Sequence, residues 1–536
     1  PPPPAAAAAA AATTTSTAAG DGAGGAADGA AGSDGADGAG EERKAAVLSA
    51  LRSIIDPDLG DDIVSCGFVK DLAVDAAGGA VSFRLHLTTP ACPVKDRFKA
   101  DAESVVGALE WVQEVQVAMS AAPPKPLSPA MPPGLVNVSN ILAVYSCKGG
   151  VGKSTVSVNL AYALAQMGAR VGILDADIYG PSLPTMVSPE VTVLEMDAQT
   201  KRIKPNEYKG VKCVSFGYAS QGAAAIMRGP MASGVVEQLL TTTDWGELDY
   251  LLIDMPPGTG DIQLTLCQGV PLTAAVVVTT PQKLAFVDVA KGVRMFARLR
   301  VPCAAVVENM AHFEVDGVKH FPFGKGSGER ICQAYGVPNL IEVPIEPDLS
   351  AAGDCGEPAV VSAPASATAR TFGELGAAVV KEVSKIRSGR TDILVGFCGT
   401  EDRLIAIDAP GMERRLLLRA VDVRRADRGA ASVDEWTGER LTDPADVPED
   451  IEPQEMAALG NYAVQILWPD GLNQVAPLDQ LQDLPALTAE QGGAEFDMQR
   501  QWAQPPEIEV VDESEEVADP RMAMLDDGTE VQMPAL

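Results

Sequence analysis

Residues 141–155 read ILAVYSCKGGVGKST, and this stretch decides the fold. An apolar run rich in β-branched side chains, Ile141 to Tyr145, enters a glycine-rich turn, and the turn predicts a helix opening at Lys153. A phosphate needs this geometry. Gly149, Gly150 and Gly152, with Val151 between them, let backbone N–H groups point inward, and the helix start adds the positive end of its dipole. Lys153 then reaches the β- and γ-phosphates, and Ser154, followed by Thr155 in the first helical turn, offers a hydroxyl to Mg²⁺. Against the strict pattern GxxxxGK[ST] one glycine is missing, because Cys147 stands five positions before Gly152. The loop instead reads KGGxGK[ST], with an extra lysine, Lys148, at its start. The competing reading is a glycine-rich turn before an ordinary helix; the full pattern favours a bound nucleoside triphosphate, ATP with Mg²⁺.

Working outward, 536 residues are too many for one core, so two or three folded domains plus tails are expected. The net charge of −32 repels nucleic acid and anionic membrane surfaces, and no basic stripe offsets it. The nine cysteines are scattered without a CxxC pair, which excludes a secreted disulfide framework and a self-contained zinc site. No apolar run reaches the ~18–20 residues of a membrane span. Residues 1–40 are Pro, Ala, Gly, Thr and Asp with almost no large apolar side chain, and are expected to be disordered. They carry no Lys or Arg, so an Arg-rich transit peptide is not evident.

Residues 41–120 alternate a helical run (AAVLSALRSII), two strand-like runs (DIVSCGFVKDLAV, AVSFRLHLTT), a loop into a helix (TTPACPVKD onward) and the strand-like WVQEVQVAM: a small α/β domain. Pro-rich 121–136 reads as a linker. Over 137–388, strand candidates at 141–145, 170–174, 211–216, 249–254, 274–279 and 303–308 are separated by helical stretches. Continuous apolar strands with helices between them predict an α/β fold, a parallel sheet covered on both faces, with its ligand at the carboxyl ends of the strands. Residues 389–485 read as a small, mostly β domain, with DRLIAIDA, RRLLLRAVDVRRA and YAVQILWPDGLNQVAPL as strands joined by turns and WPDGL as a hairpin tip, and 486–536 as an acidic mobile tail.

Three further segments place candidate chemistry at those strand ends. LLIDMPPGTGD (251–261) ends a strand in Asp254, whose carboxylate suits Mg²⁺-bound water, and PPGTG can sense the γ-phosphate. LDADIYGPS (174–182) carries Asp175 and Asp177, with Asp177 placed to orient or deprotonate the attacking water. Asn309, closing CAAVVEN, is a candidate adenine contact, with a capping or turn Asn as the alternative. Taken singly, each aspartate reads equally well as a solvated strand-end carboxylate; their order after the phosphate loop favours the functional reading. Lys148 is expected to point away from its own nucleotide and to reach one bound across a symmetric, ATP-dependent homodimer, acting in trans.

KGGVGKST, DADIYGPSLPTM, GELDYLLIDMPPGTGDIQLTL and VVENM resemble the Mrp/ApbC branch of the deviant-Walker-A ATPases, a family of iron–sulfur cluster carriers. DPDLGDDIVSCGFVKDL and LTTPACPVKD resemble a MIP18-like cluster-assembly domain. SVDEWTGERL, EDIEPQEM and GNYAVQILWPDG resemble the small C-terminal domain of the family's chloroplast member. The resemblance covers about 41–485 and implies a slow ATPase of the chloroplast stroma. It would hold a [4Fe–4S] cluster and deliver it to apo iron–sulfur clients such as photosystem I subunits.

Thiolates are the natural ligands of such a cluster. Cys92 is the first candidate: it matches the family's motif, and a helix start and Lys95 beside it favour thiolate. Cys267 and Cys398 are weaker candidates, and Cys213 and Cys303 read as core. The chain departs from the family at two points: the CxxC after VENM is absent, and Ala311 stands where the chloroplast type has Cys. His312 and His320 lie nearby and read as exposed or capping histidines. Two other functions compete. A membrane-positioning or DNA-partitioning ATPase needs a basic helix or surface, and this chain ends acidic. A nucleotide-gated adaptor without a cluster needs only the client-binding domains.

Overall fold

The computed structural model describes residues 34–487 apart from 58–59, 76–78, 122–126, 128–130, 221–228, 259, 389–392, 400–402, 410–411, 413–414, 430–431 and 434–438, together with three strands, Gln499–Arg500, Met522–Met524 and Glu530–Gln532. Helix α1 (Asp34–Leu51) begins upstream of residue 41, so the last part of the segment expected to be disordered is helical. Once Val47 and Leu51 are buried, each residue added backward along the helix gains a hydrogen bond without a new nucleus. The rest of that segment, 1–33, lies outside the described residues.

Only the second half of DIVSCGFVKDLAV is a strand, β1 (Val69–Val74). The first half is turned by Asp62, whose Oδ1 accepts the N–H groups of Val64 and Ser65 at 2.9 and 2.8 Å. Strand β2 (Ala80–Leu87) alternates buried and outward side chains, pairs antiparallel with β1, and runs through α2 (Lys95–Gly107) to a parallel β3 (Glu114–Ala121). Phe68, Phe83, Leu85, Phe98 and Val106 fill the core between sheet and helices.

The central sheet begins with β4 (Ile141–Tyr145), followed by α3 (Lys153–Gln166), β5 (Val171–Asp175), β6 (Asn206–Tyr208), β7 (Val211–Ser215), α4 (Gly229–Thr242) and β8 (Tyr250–Asp254). It continues with α5 (Asp261–Gly269), β9 (Ala274–Thr279), α6 (Lys283–Arg298), β10 (Cys303–Asn309), α7 (Ser327–Tyr335), β11 (Leu340–Val343) and α8 (Ala367–Ser388). The strand order is β11-β10-β9-β4-β8-β5-β7-β6. All neighbours are parallel except β6, which folds back on β7 through Lys209 and Gly210, both at positive φ, as a tight hairpin demands. The expected parallel sheet covered on both faces is therefore present: two apolar clusters flank it, one built on Tyr145, Trp245 and Phe296, the other on Tyr162, Leu252 and Phe372.

Beyond α8, β12 (Leu394–Cys398), β13 (Leu404–Asp408) and β14 (Leu416–Arg419) form an antiparallel sheet, and β15 (Glu455–Leu459), β16 (Ala463–Leu467) and β17 (Asn473–Pro477) form another. The run RRLLLRAVDVRRA, read as a strand, divides: after β14 it turns helical over Ala420–Arg425, which buries Arg424 against Asp470 at 2.7 Å. WPDGL does form the tip between β16 and β17, closed by Trp468 N–H on the Leu472 carbonyl at 2.9 Å. Within the acidic tail, Gln499–Arg500 pairs with the outer edge of β12.

The three parts are joined by named contacts. Lys95 Nζ donates to the Met167 carbonyl at the end of α3 (2.8 Å), and Thr89 Oγ1 lies 3.4 Å from the Tyr250 hydroxyl. The C-terminal sheet shares the core, with Leu459, Ala463 and Val475 in the same cluster as Phe296, and the half-buried Tyr462 accepts the Cys303 N–H on its hydroxyl at 2.9 Å.

Candidate functional site

The loop between β4 and α3 has the conformation its glycines permit. Gly150 and Gly152 sit at φ +79° and +85°, and Ser146 Oγ donates to the Lys148 carbonyl at 2.9 Å, closing the turn. A Cβ on Gly152 would lie 2.1 Å from Asn309 Nδ2. That amide donates to the Val151 carbonyl at 2.8 Å. Asn309 is therefore engaged with the phosphate loop through Val151.

Lys153 is 6% exposed and Asp254 2%, and Lys153 Nζ meets Asp254 Oδ1 at 2.5 Å. Parallel pairing places them together: β8 runs beside both β4 and β5, in register Asp254 to Val144 and Asp254 to Asp175. Two carboxylates thus stand side by side at adjacent strand ends. Asp175, fully buried, accepts the N–H groups of Asp177, Ser182 and Leu183 and the Ser215 hydroxyl at 3.0–3.1 Å. Burial, with the Asp254 carboxylate adding to it, pushes Asp175 up to about 7. Asp177, half-buried, accepts the Gly180 N–H at 3.1 Å in the loop beyond β5. The PPGTG loop after β8 is tied at several points. Gly258 N–H reaches the Ser146 carbonyl at 3.1 Å, and Gln263 Nε2 donates to the carbonyls of Pro256 and Pro257 at 3.0 Å. Thr259 lies outside the described residues.

Lys148 Nζ pairs with Asp288 Oδ2 of α6 at 2.9 Å, and that hydrogen bond holds the Asp288 carboxyl below the usual carboxylate range. No sequence motif marks Asp288, Gln263 or the hydrogen bonds around Asp175. Asp288 sits in an amphipathic helix with no motif around it, and its partner is far away in sequence.

The cysteines separate by burial. Cys267 lies in the core, where burial pushes its thiol up to about 12. Burial likewise raises Cys213, Cys303 and Cys332 to about 12, and Cys147, whose Sγ donates to the Asp288 carbonyl at 2.8 Å, upward. Cys398 is half-buried on β12. Cys92 is half-buried three residues before α2, in a cavity of about 20 Å³ with Asp56, Thr89 and, from α8, Val380 and Ser384. That space holds about one water, so a cluster there requires the domain junction to open. It also lies at the far end of α3 from the phosphate loop, about 20 Å along a helix of this length. His312 is buried rather than exposed, its Nδ1 without a hydrogen-bond partner, and His320 stacks on Phe313. Among the described residues no group of three or more His, Cys, Asp or Glu side chains could hold a metal ion. No helix there is long and apolar enough to cross a membrane.

A glycine-rich loop between a buried strand and a helix, a lysine at the helix start and a strand-end aspartate against it define a P-loop NTPase. Residues 137–380 match the family described as NUBPL iron-transfer P-loop NTPase, and 44–117 match the iron–sulfur cluster assembly protein family. The chain is 62% identical over 445 residues, 82% of each chain, to the chloroplastic Fe–S cluster assembly factor HCF101 of Arabidopsis thaliana. It is 60% identical over 448 residues to the rice protein of the same name, covering 83% of this chain and 84% of that one. An iron–sulfur cluster carrier protein of Synechocystis is 44% identical over 345 residues, 63% of this chain and 97% of its own. A nucleotide-binding protein of Archaeoglobus fulgidus solved with ADP superposes with a TM-score of 0.38 at 36% identity, covering 42% of this chain and 90% of that one. The chain belongs to the iron–sulfur cluster carrier family of P-loop NTPases.

Proposed function

We propose that the chain is an ATP-driven carrier that accepts a [4Fe–4S] cluster and passes it to apo iron–sulfur proteins in the plastid stroma. The observation that carries this reading is the buried Lys153–Asp254 pair, set in a glycine loop and flanked by a MIP18-like domain and a small β domain. In this account the backbone N–H groups of Gly149 to Gly152 and Thr155 cradle the phosphates. Lys153 leaves Asp254 for the β- and γ-phosphates. The Ser154 hydroxyl, 3.4 Å from Lys153 Nζ, fits Mg²⁺, with Asp254 holding its water shell. Asp177 orients the attacking water.

Exchange of Lys153 from carboxylate to phosphate frees Asp254 beside Asp175, and the PPGTG loop tied to Gln263 moves with it. Two chains meet face to face, and Lys148 gives up Asp288 for the partner's nucleotide. In each chain Cys92 supplies a thiolate to a cargo cluster at that chain's own opened domain junction, with α3 linking the phosphate loop to that junction through Met167 and Lys95. The chloroplastic relatives support the plastid as the compartment. A second reading, a nucleotide-gated adaptor without a cluster, is favoured by the tight surroundings of Cys92. The separating experiment loads the chain with cluster anaerobically and follows transfer to an apo-ferredoxin-type acceptor. The carrier reading expects transfer to depend on ATP and to fail with Lys153→Ala; nucleotide-indifferent transfer refutes the coupling.

A further inference from the structure

We propose that the groove between α5, α6 and the β15–β16–β17 sheet docks an acidic, partly apolar peptide segment of a client protein. This rests on the carrier reading for who the partner is, and on the groove's own chemistry for what it recognises. The groove encloses about 700 Å³. Arg294, Arg298 and Arg300 line it together with Leu264, Met295 and Leu467, and Glu455 is the one carboxylate among its lining residues, paired to Arg300 across the domain junction. In a chain of net charge −32, three arginines against one glutamate reverse the local sign. Guanidinium forks suit carboxylates bidentately, and arginine clusters with apolar ground between them read acidic motifs.

Arg300 adds an independent observation. α6 ends in a Schellman motif, Val301 N–H on the Phe296 carbonyl (2.9 Å) and Arg300 N–H on that of Ala297 (2.8 Å). The position after the cap, usually glycine, holds Arg300 at φ +56°. Backbone strain is accepted where a side chain is needed, and this side chain lines the groove. The walls also reach the nucleotide site: α5 starts directly after the PPGTG loop, and α6 carries Asp288, which holds Lys148. Docking and nucleotide state therefore bias one another.

The test uses the full chain and a fluorescent ten-residue peptide of alternating Glu and Leu, followed by fluorescence polarisation, with a Lys–Leu peptide as the control. The Glu peptide binds and the Lys peptide does not; Arg294→Glu with Arg298→Glu weakens binding by roughly tenfold or more. Arg300→Gly weakens it too, while the melting temperature stays or rises, which a merely structural arginine would not allow. ATP in place of ADP shifts the affinity. Equal binding of both peptides, or no loss in the arginine variants, overturns the proposal. The chain's own acidic stretch EIEVVDESEE (507–516) is the rival occupant. Truncation after Arg500 leaves affinity unchanged if a client is the occupant, and a rise of roughly tenfold assigns the groove to the tail and overturns the client version. None of these readouts requires iron, so failure here is distinct from failure of the carrier reading.

Discussion

Replacing Lys153 by Met tests the buried pair at the heart of the site. Lys153 Nζ lies 2.5 Å from Asp254 Oδ1, with both side chains almost fully buried. Removing one partner of such a pair leaves an uncompensated charge, about 3–5 kcal/mol. Here the loss has a ceiling, because the orphaned carboxylate can take up a proton. Forcing a carboxyl of reference pKa near 3.9 to be neutral costs about 4 kcal/mol near pH 7 and roughly 1.4 kcal/mol near pH 5. The variant therefore unfolds about 3–4 kcal/mol more easily than wild type near pH 7, and the gap narrows by about 1.4 kcal/mol per pH unit on acidification. Urea denaturation of nucleotide-free protein at several pH values measures this. A gap that stays constant between pH 5 and pH 7, or a loss under about 1 kcal/mol at neutral pH, refutes the reasoning.

Gly152→Ala places a Cβ 2.1 Å from Asn309 Nδ2 at φ +85°, adding a left-handed penalty of about 1–2 kcal/mol to a lost hydrogen bond of about 1 kcal/mol. Thermal denaturation should show a loss near 2–3 kcal/mol, and Asn309→Ala in the same chain should recover little of the backbone part. Asp288→Ala releases Lys148 at a cost in stability of at most about 1 kcal/mol, since the pair is partly exposed. It should raise ATP-dependent self-association in sedimentation, whereas Lys148→Ala should abolish hydrolysis; wild-type hydrolysis by a Lys148→Ala chain that still dimerises would exclude the trans role. Because the folded pKa of Asp175, about 7, exceeds its reference value of 3.8, its stabilising contribution is complete below about pH 4 and is lost as pH rises through 7. Asp175→Asn should flatten the fall in melting temperature over that window.

The sheet was legible because its strands are buried on both faces. ILAVY, YLLID and AAVVVT show unbroken apolar runs that no amphipathic helix produces, and the observed strands coincide with them or nearly so. Missed were β6, three residues folded back by a hairpin, and β11, whose LIEV is only partly buried. The run ending in AVDVRR misled because Val421 and Val423 alternate like a strand, yet Arg424 is drawn inward to Asp470. At the site, the meeting of Lys153 with Asp254 follows from a loop motif and a strand end, both local signals. Asn309 beneath the loop, Asp288 on Lys148 and Ser215 on Asp175 are long-range pairings that no local pattern carries. The burial of Cys213 and Cys303 was legible from the apolar strands that hold them, whereas that of Cys267, on the helix after β8, was not.

The most direct measurement is an iron and sulfide count after anaerobic reconstitution of wild type and Cys92→Ser. The account predicts cluster-level iron with matching sulfide on wild type and its loss in the Cys92→Ser chain, with folding unchanged. No more than about one iron per chain on wild type, or equal loading of both proteins, would contradict it.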